Sequence, residues 1–308
     1  MSKQGRMIVS AKAAPAPSLF EEGLVVAHVG QGIAVEHGDQ IILCQPLRKL
    51  ETVAVGDKVS WSLSAPGQGR IESIQPRRSL LARPARNNKV RPVAANIDAV
   101  FVVIAIEPYC DFLLIDQYLA VCENSGINVA LILNKIDLPV PDALESELQI
   151  YQNLGYPIHK VSAITGKGLP ELKLAFQKQT SVLTGQSGVG KSTITNAIVP
   201  DKNVRTNSIS ETTKHGRHTT TAATLYHIDN GGDLIDSPGV AIFGLADLNR
   251  PQLAQGYREF EPFIDNCQFN DCSHHQDKGC SVRAAAEAGK ITMARYQRFL
   301  KLTQKMGG

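Results

Sequence analysis

Long apolar runs are absent from this 308-residue chain: none approaches the ~20 residues that a membrane-spanning helix needs, so no membrane segment is expected. Net charge is small, at +3, too little for bulk charge alone to imply a nucleic-acid partner. Cysteine is too sparse for a disulfide framework. Of the six, Cys44, Cys110 and Cys122 are scattered, while Cys267, Cys272 and Cys280 fall within fourteen residues. Residues 1–20 are rich in Ala and Pro and lack an apolar core segment, so they read as a mobile tail and not as a signal peptide. A cytoplasmic location is expected, and in that reducing compartment a tight Cys/His group marks metal more often than disulfides. What is present, 43% hydrophobic and 20% charged residues, suits an ordinary globular chain long enough for two or three domains.

Short β-type runs separated by turn residues occupy residues 24–29, 33–36, 40–44, 58–63 and 69–74, with His37-Gly38-Asp39 as a hairpin turn. So many strands in so short a stretch predict a small barrel, an OB-like one among the candidates. From Ser73 to Ala95 there is no acid but six bases, Arg77, Arg78, Arg83, Arg86, Lys89 and Arg91, and the interleaved prolines predict a linker. Beyond Asn96, buried-strand runs at 99–106, 128–133, 157–161 and 181–184 alternate with helical patterns at 112–123, 142–154 and 169–177. That alternation predicts a parallel sheet covered on both faces. The expected organisation is a tail (1–20), a barrel (21–76), a basic linker (77–95), an α/β domain (96–248) and a metal-binding α-rich domain with a basic helical tail (249–308).

Gly185-Gln186-Ser187-Gly188-Val189-Gly190-Lys191-Ser192 matches G-x-x-x-x-G-K-[ST] between a strand and a helix. Backbone N–H groups there can cradle phosphate oxygens, Lys191 can neutralise the β and γ phosphates, and the Ser192 hydroxyl can ligate Mg²⁺. Thr193 follows in the same turn and joins the expected nucleotide contacts. Asn134-Lys135-Ile136-Asp137 ends a strand, where the Asp137 carboxylate can accept from the N1–H and N2 amino groups of guanine. Adenine lacks both donors and would leave that carboxylate unpaired, which disfavours an ATPase or kinase. The stem of Lys135 can cover the base, and Asn134 can brace the loops. A backbone N–H at Ser162-Ala163 can read the guanine O6. Asp236-Ser237-Pro238-Gly239 supplies D-x-x-G: Asp236 for the Mg²⁺ shell, the Gly239 amide for the γ-phosphate. The motifs run in an order rotated relative to ordinary GTPases. All these loops lie at the carboxyl ends of the strands of a doubly wound sheet, so a circular permutation leaves the site intact.

Together with Gly216-Arg217-His218-Thr219-Thr220-Thr221 and the terminal Cys/His cluster, these segments resemble the RsgA (YjeQ) family of circularly permuted bacterial GTPases over residues 23–302. The resemblance implies an N-terminal OB-fold, a central permuted P-loop GTPase domain and a C-terminal zinc domain. It further implies GTP and GDP as ligands and a role in late maturation of the 30S ribosomal subunit through contact with 16S rRNA. Binding to 30S stimulates hydrolysis in that family, and hydrolysis is expected to drive release of the protein itself or of other assembly factors. A monomer is expected.

Val240 follows D-x-x-G where Ras-like proteins place the glutamine that orients water, and it cannot do so. His218 is the candidate for that work, as the resemblance also implies, and Thr220, with Thr219 as rival, for ligating Mg²⁺. Cys267, Cys272, His274 and Cys280 offer three thiolates and an imidazole, enough for a closed structural Zn²⁺ site. His275 is an adjacent alternative, although the family pattern puts the ligand at His274. Arg283, Lys290, Arg295, Arg298, Lys301 and Lys305, with Glu287 as the one acid, lie along the following helical segments and suggest RNA contact. Because Gly239 precedes Cys267 by fewer than thirty residues, GTP is expected to reorient the zinc domain through that short covalent path.

Overall fold

The computed structural model describes residues 20–30, 32–84, 90–199, 223–229, 231–236 and 248–306. The expected tail, the loop with His218 and Thr220, and Gly239 with Val240 lie outside the described residues.

Five strands, β1 (Glu21–Val29), β2 (Gly32–His37), β3 (Gln40–Pro46), β4 (Lys58–Ala65) and β5 (Gln68–Ile74), hydrogen-bond in the order β1-β2-β3-β5-β4. β4 pairs back onto β1, with Leu24 opposite Lys58, so the sheet closes into a barrel. Val25, Ile33, Val35, Cys44, Val59, Trp61 and Ile71 fill it, each from an inward position of its strand. Cys44 serves there as a small hydrophobe, and burial pushes its thiol up to about 11. Gly38 turns β2 into β3 with φ 56°, as the hairpin reading required.

The basic stretch is not a bare linker. β6 (Leu80–Pro84) and β7 (Val90–Ala95) form an antiparallel two-stranded ribbon. Pro84 stands at a strand end and Pro92 beside a register shift, places where a missing N–H is tolerated, while the outer edge of β7 is bridged to Val55 at Ala94. Two of the six bases are internal ties. Arg77 grips the buried Asp57 with Nε and Nη2 at 2.7 and 2.8 Å, and Arg78 pairs with Asp98 at 2.6 Å.

The central sheet is built from β8 (Ala99–Ala105), β9 (Asn128–Asn134), β10 (Ile158–Lys160), β11 (Thr180–Gly185), β12 (Thr224–Ile228) and β13 (Gly232–Asp236), in the order β10-β9-β8-β11-β13-β12. All pairings are parallel except β12 with β13. β8 shows why the sheet is covered on both sides. Val100, Val102 and Ile104 join one core; Ala99, Phe101, Val103 and Ala105 join the other. Helices α1 (Phe112–Asn124) and α2 (Asp142–Asn153) seal the first face. Helices α3 (Leu169–Ala175) and α4 (Lys191–Ile198) seal the second. β12 also pairs with β1 at Ala27 and Thr224, so barrel and sheet share one hydrogen-bonded array. His227 in β12 reinforces that seam, with Nδ1 2.5 Å from Asp233 and Nε2 2.8 Å from Glu36 of the barrel.

The C-terminal region is helical: α5 (Arg250–Gln255), a 3₁₀ turn (Arg258–Phe260), α6 (Glu261–Ile264), α7 (Ser281–Glu287) and α8 (Met293–Lys305). Asn249 and Gln252 form a capping box at the start of α5. Tyr257, Phe260, Phe299 and Leu302 build a core that takes in Ala120 of α1. At Gly256 an added Cβ would sit 2.6 Å from the Ala120 Cα, so only glycine allows this approach. Two of the six terminal bases also turn inward. Arg295, fully buried, bonds Asp116 of α1 and Glu259; Arg298 bonds Asp116 at 2.7 Å and Glu147 of α2 at 3.0 Å. The Tyr151 hydroxyl donates to the same Asp116. Among the described residues no helix is long and apolar enough to cross a membrane.

Candidate nucleotide site and metal centre

The carboxyl ends of β8, β9, β10, β11 and β13 carry the loops that the motifs mark. The phosphate loop leaves β11 through Gly185, Gly188 and Gly190, all at positive φ. At Gly190 the reason is a close approach: a Cβ would stand 2.3 Å from Asn134 Nδ2. Asn134, almost fully buried, uses that nitrogen to donate to Val189 O at 2.9 Å, and its Oδ1 accepts from the Ala163 amide at 3.1 Å. One side chain therefore ties the phosphate loop to both base-recognition loops. Lys135, at φ 67°, donates its Nζ to Gly188 O at 2.9 Å and Glu107 O at 2.6 Å. Its ammonium is thus spent on loop geometry while its stem is left for other contacts. Asp137 Oδ1 accepts from the Ser162 hydroxyl at 2.6 Å.

Both amides of Ser162-Ala163 have protein partners: Ser162 donates to Lys167 O at 2.9 Å, and Ala163 to Asn134. A base O6 would have to share the Ala163 donor with Asn134. Lys191 bends back onto the carbonyls of Gly185 and Gln186, at 2.8 and 2.7 Å. Desolvation lowers its pKa, and the charge of Asp236, at the end of β13, opposes that shift. Ser187, Ser192 and Thr193 lie in or just past the same loop, and Ser192 and Thr193 are exposed. The sequence reading missed the loop after β8. Glu107 O holds Lys135, and the Asp111 amide donates to Gln186 Oε1 at 3.4 Å. No motif marks that loop, although its place at the same sheet edge could have indicated it.

The second cluster brings together the donor atoms of Cys267, Cys272, His274 and Cys280, all within 4.8 Å of one another. His274 Nδ1 is 3.6 Å from the sulfurs of both Cys267 and Cys280. A tetrahedral zinc with bonds near 2.3 Å sets its donors roughly 3.5–3.8 Å apart, so the donor set and its spacing fit that metal. His275 is exposed and outside the group. The Tyr296 hydroxyl holds His274 O at 2.6 Å, and the Arg283 amide donates to Cys280 Sγ at 3.3 Å. Burial pushes the Cys272 thiol up to about 12, so a bound cation would be needed to hold it as thiolate.

Comparison with known proteins agrees with this geometry. The RsgA GTPase family model matches residues 74–246. Small ribosomal subunit biogenesis GTPase RsgA of Haemophilus influenzae (strain PittEE) is 40% identical over 294 residues, 93% of this chain and 85% of that protein. The same-named protein of Hahella chejuensis is 40% identical over 297 residues, 94% of this chain and 85% of that one. Among solved structures, YjeQ from Thermotoga maritima is similar with a TM-score of 0.74 and 32% identity, covering 94% of this chain and 99% of that one. YloQ, a circularly permuted GTPase, has a TM-score of 0.70 and 25% identity, covering 96% and 98%. Motifs, fold and relatives coincide over nearly the whole length, and the chain belongs to the RsgA GTPase family.

Proposed function

We propose that this protein is a GTP hydrolase of late 30S subunit maturation: it binds GTP and 16S rRNA, hydrolyses GTP to GDP and phosphate when docked, and is then released. The observation that carries the nucleotide part is Asn134, which fastens the guanine-side loop of Ala163 to the phosphate loop at Val189. The ribosomal part is supported by the relatives' names. Guanine would lie between the Lys135 stem and the Ser162-Ala163 loop, with Asp137 accepting from N1–H and N2. The phosphates would lie along Gly185–Thr193, where Lys191 exchanges two carbonyls for phosphate oxygens. Ser192, Asp236 and Thr220 are the residues that would hold Mg²⁺, which draws charge off the phosphate oxygens when bound. Gly239 would donate to the γ-phosphate, and His218 would orient the attacking water in place of the absent glutamine. Zn²⁺ at Cys267, Cys272, His274 and Cys280 would be structural, since four protein ligands leave no open position. The expected setting is the cytoplasm. The test is GTP turnover by the full chain with and without purified 30S subunits: stimulation supports the reading, and equal rates refute it.

A further inference from the structure

Beside the nucleotide site, and sharing Gln186 with it, a cleft of about 570 Å³ lies between the loop after β8 and the last helix, α8. Tyr109 stands on one wall with 83% of its surface exposed, the most exposed large hydrophobic side chain among the described residues. Arg298, Lys301 and Gln297 of α8 form the other wall, and Gln186 of the phosphate loop closes one end. The cations are not equivalent. Arg298 spends Nε on Asp116 and Nη1 on Glu147, but its Nη2 is buried without an acceptor among the described residues. Lys301 is exposed, and no ion pair is formed by it among the described residues. The one acid in the cleft, Asp111, already caps α1 by accepting from the Leu113 and Leu114 amides.

An exposed aromatic face opposite a wall that carries an exposed Lys301, unpaired among the described residues, suits a ligand with a planar ring and a phosphate. We propose that this cleft is the seat of one unpaired RNA nucleotide, its base stacked on Tyr109 and its phosphate held by Lys301. Stacking reads the π-face of any base, and the phosphate contact reads the backbone, so the seat would be tolerant of sequence. A duplex would not enter, because its bases are stacked on one another and unavailable to Tyr109. The proposal rests on the ribosomal role proposed above and gives it a contact point beside the phosphate loop.

The test uses the full chain with a non-hydrolysable GTP analogue and two probes: fluorescein-labelled hexauridylate and hexaadenylate at low salt, and 30S subunits. Tyr109→Ala should weaken oligonucleotide binding by roughly 5- to 100-fold, the range of one lost base–aromatic stack. Tyr109→Phe should retain it, and Lys301→Ala should weaken it while flattening its salt dependence. GTP affinity should be unchanged in all three. Equal oligonucleotide affinity in wild type and Tyr109→Ala, no binding by wild type, or equal competition by an RNA duplex would each overturn the proposal. Loss of 30S affinity in Tyr109→Ala without loss of oligonucleotide binding would assign the cleft to a protein segment and overturn it too. Wild type that binds the oligonucleotides through Tyr109 but not 30S subunits would sink the ribosomal role and leave the seat standing.

Discussion

Removing Asp116 tests how the C-terminal region is held. This carboxylate has no exposed surface and accepts from Arg295 Nη1 at 2.5 Å, the Tyr151 hydroxyl at 2.5 Å and Arg298 Nε at 2.7 Å. In Asp116→Ala the fully buried Arg295 keeps only Glu259, and Tyr151 loses its one acceptor. Breaking a buried ion pair from one side costs about 3–5 kcal/mol, because a desolvated charge is stranded. Hydrogen exchange of the α8 amides measures the effect locally, which suits a chain with several cores. At about 1.4 kcal/mol per factor of ten, α8 should exchange roughly 10² to 4 × 10³ times faster. The single tryptophan, Trp61, sits in the barrel, so its fluorescence should report no change there. Arg295→Met in the same background should cost less than it does alone, since the Asp116 carboxylate it would otherwise strand is already gone. Acceleration below tenfold in Asp116→Ala would show that the apolar contacts around Ala120 and Tyr257 hold α8 without the ionic network.

Lys191→Ala should weaken GTP binding by roughly 10- to 100-fold, since charge-assisted hydrogen bonds contribute about 1.5–3 kcal/mol; calorimetric titration with unchanged affinity would remove Lys191 from the phosphate site. Cys272→Ser should lower bound zinc well below one per chain, read by elemental analysis, and should expose the amides around Cys267–Cys280 to exchange; full zinc content would contradict the four-ligand site. At His227, hydrogen bonds to Asp233 first and Glu36 second raise the pKa from 6.5 to about 9. The imidazolium therefore stabilises the barrel–sheet seam fully below about pH 6.5, and that contribution fades as pH rises towards 9. His227→Gln should remove this pH dependence from the barrel's Trp61 unfolding transition, and an unaltered profile would refute the linkage.

The barrel strands and the alternating α/β segment were legible because one residue in two, or a continuous apolar run, must face a core. β8 shows the limit of that signal. Its run says buried, but only the structure divides Val100, Val102 and Ile104 from Phe101 and Val103. The nucleotide loops were legible because close approach fixes residue types, as at Gly190 against Asn134. Charge was the least legible feature. Arg295 and Arg298 read as part of a basic helix face, yet their partners, Asp116, Glu147 and Glu259, lie 36 to 182 residues away in sequence. Arg77 and Asp57, twenty residues apart, make the same point in the linker. A count of bases records neither which side of a helix they take nor which acid meets them. The ribbon of Leu80–Pro84 with Val90–Ala95 was hidden by prolines that are tolerated there because one ends a strand and the other stands beside a register shift.

These attachments bear on how nucleotide state reaches the C-terminal region. A covalent path from Gly239 to Cys267 would matter most if that region hung from it. It does not hang. Gly256 packs on Ala120, Arg258 bonds Glu123 at 2.8 Å, and Arg295 and Arg298 bond Asp116, so α1 carries the whole helical unit. The capped start of α1, at Asp111, in turn touches Gln186 of the phosphate loop. A displacement of the phosphate loop thus meets the helical unit through one rigid helix about twenty ångströms long, at 1.5 Å per residue. The barrel's tie is broader: the β-pair at Ala27 and the His227 bridge to the β12–β13 hairpin, the Ala95 amide on Val55 O, Asn96 Nδ2 on Gly56 O, and one core that joins Val26, Ala34 and Val55 to Leu225 and Ile235. Any reorientation of the barrel on GTP binding would have to part that shared core and those bonds. Between α1 and α8 it would have to break a desolvated ionic network.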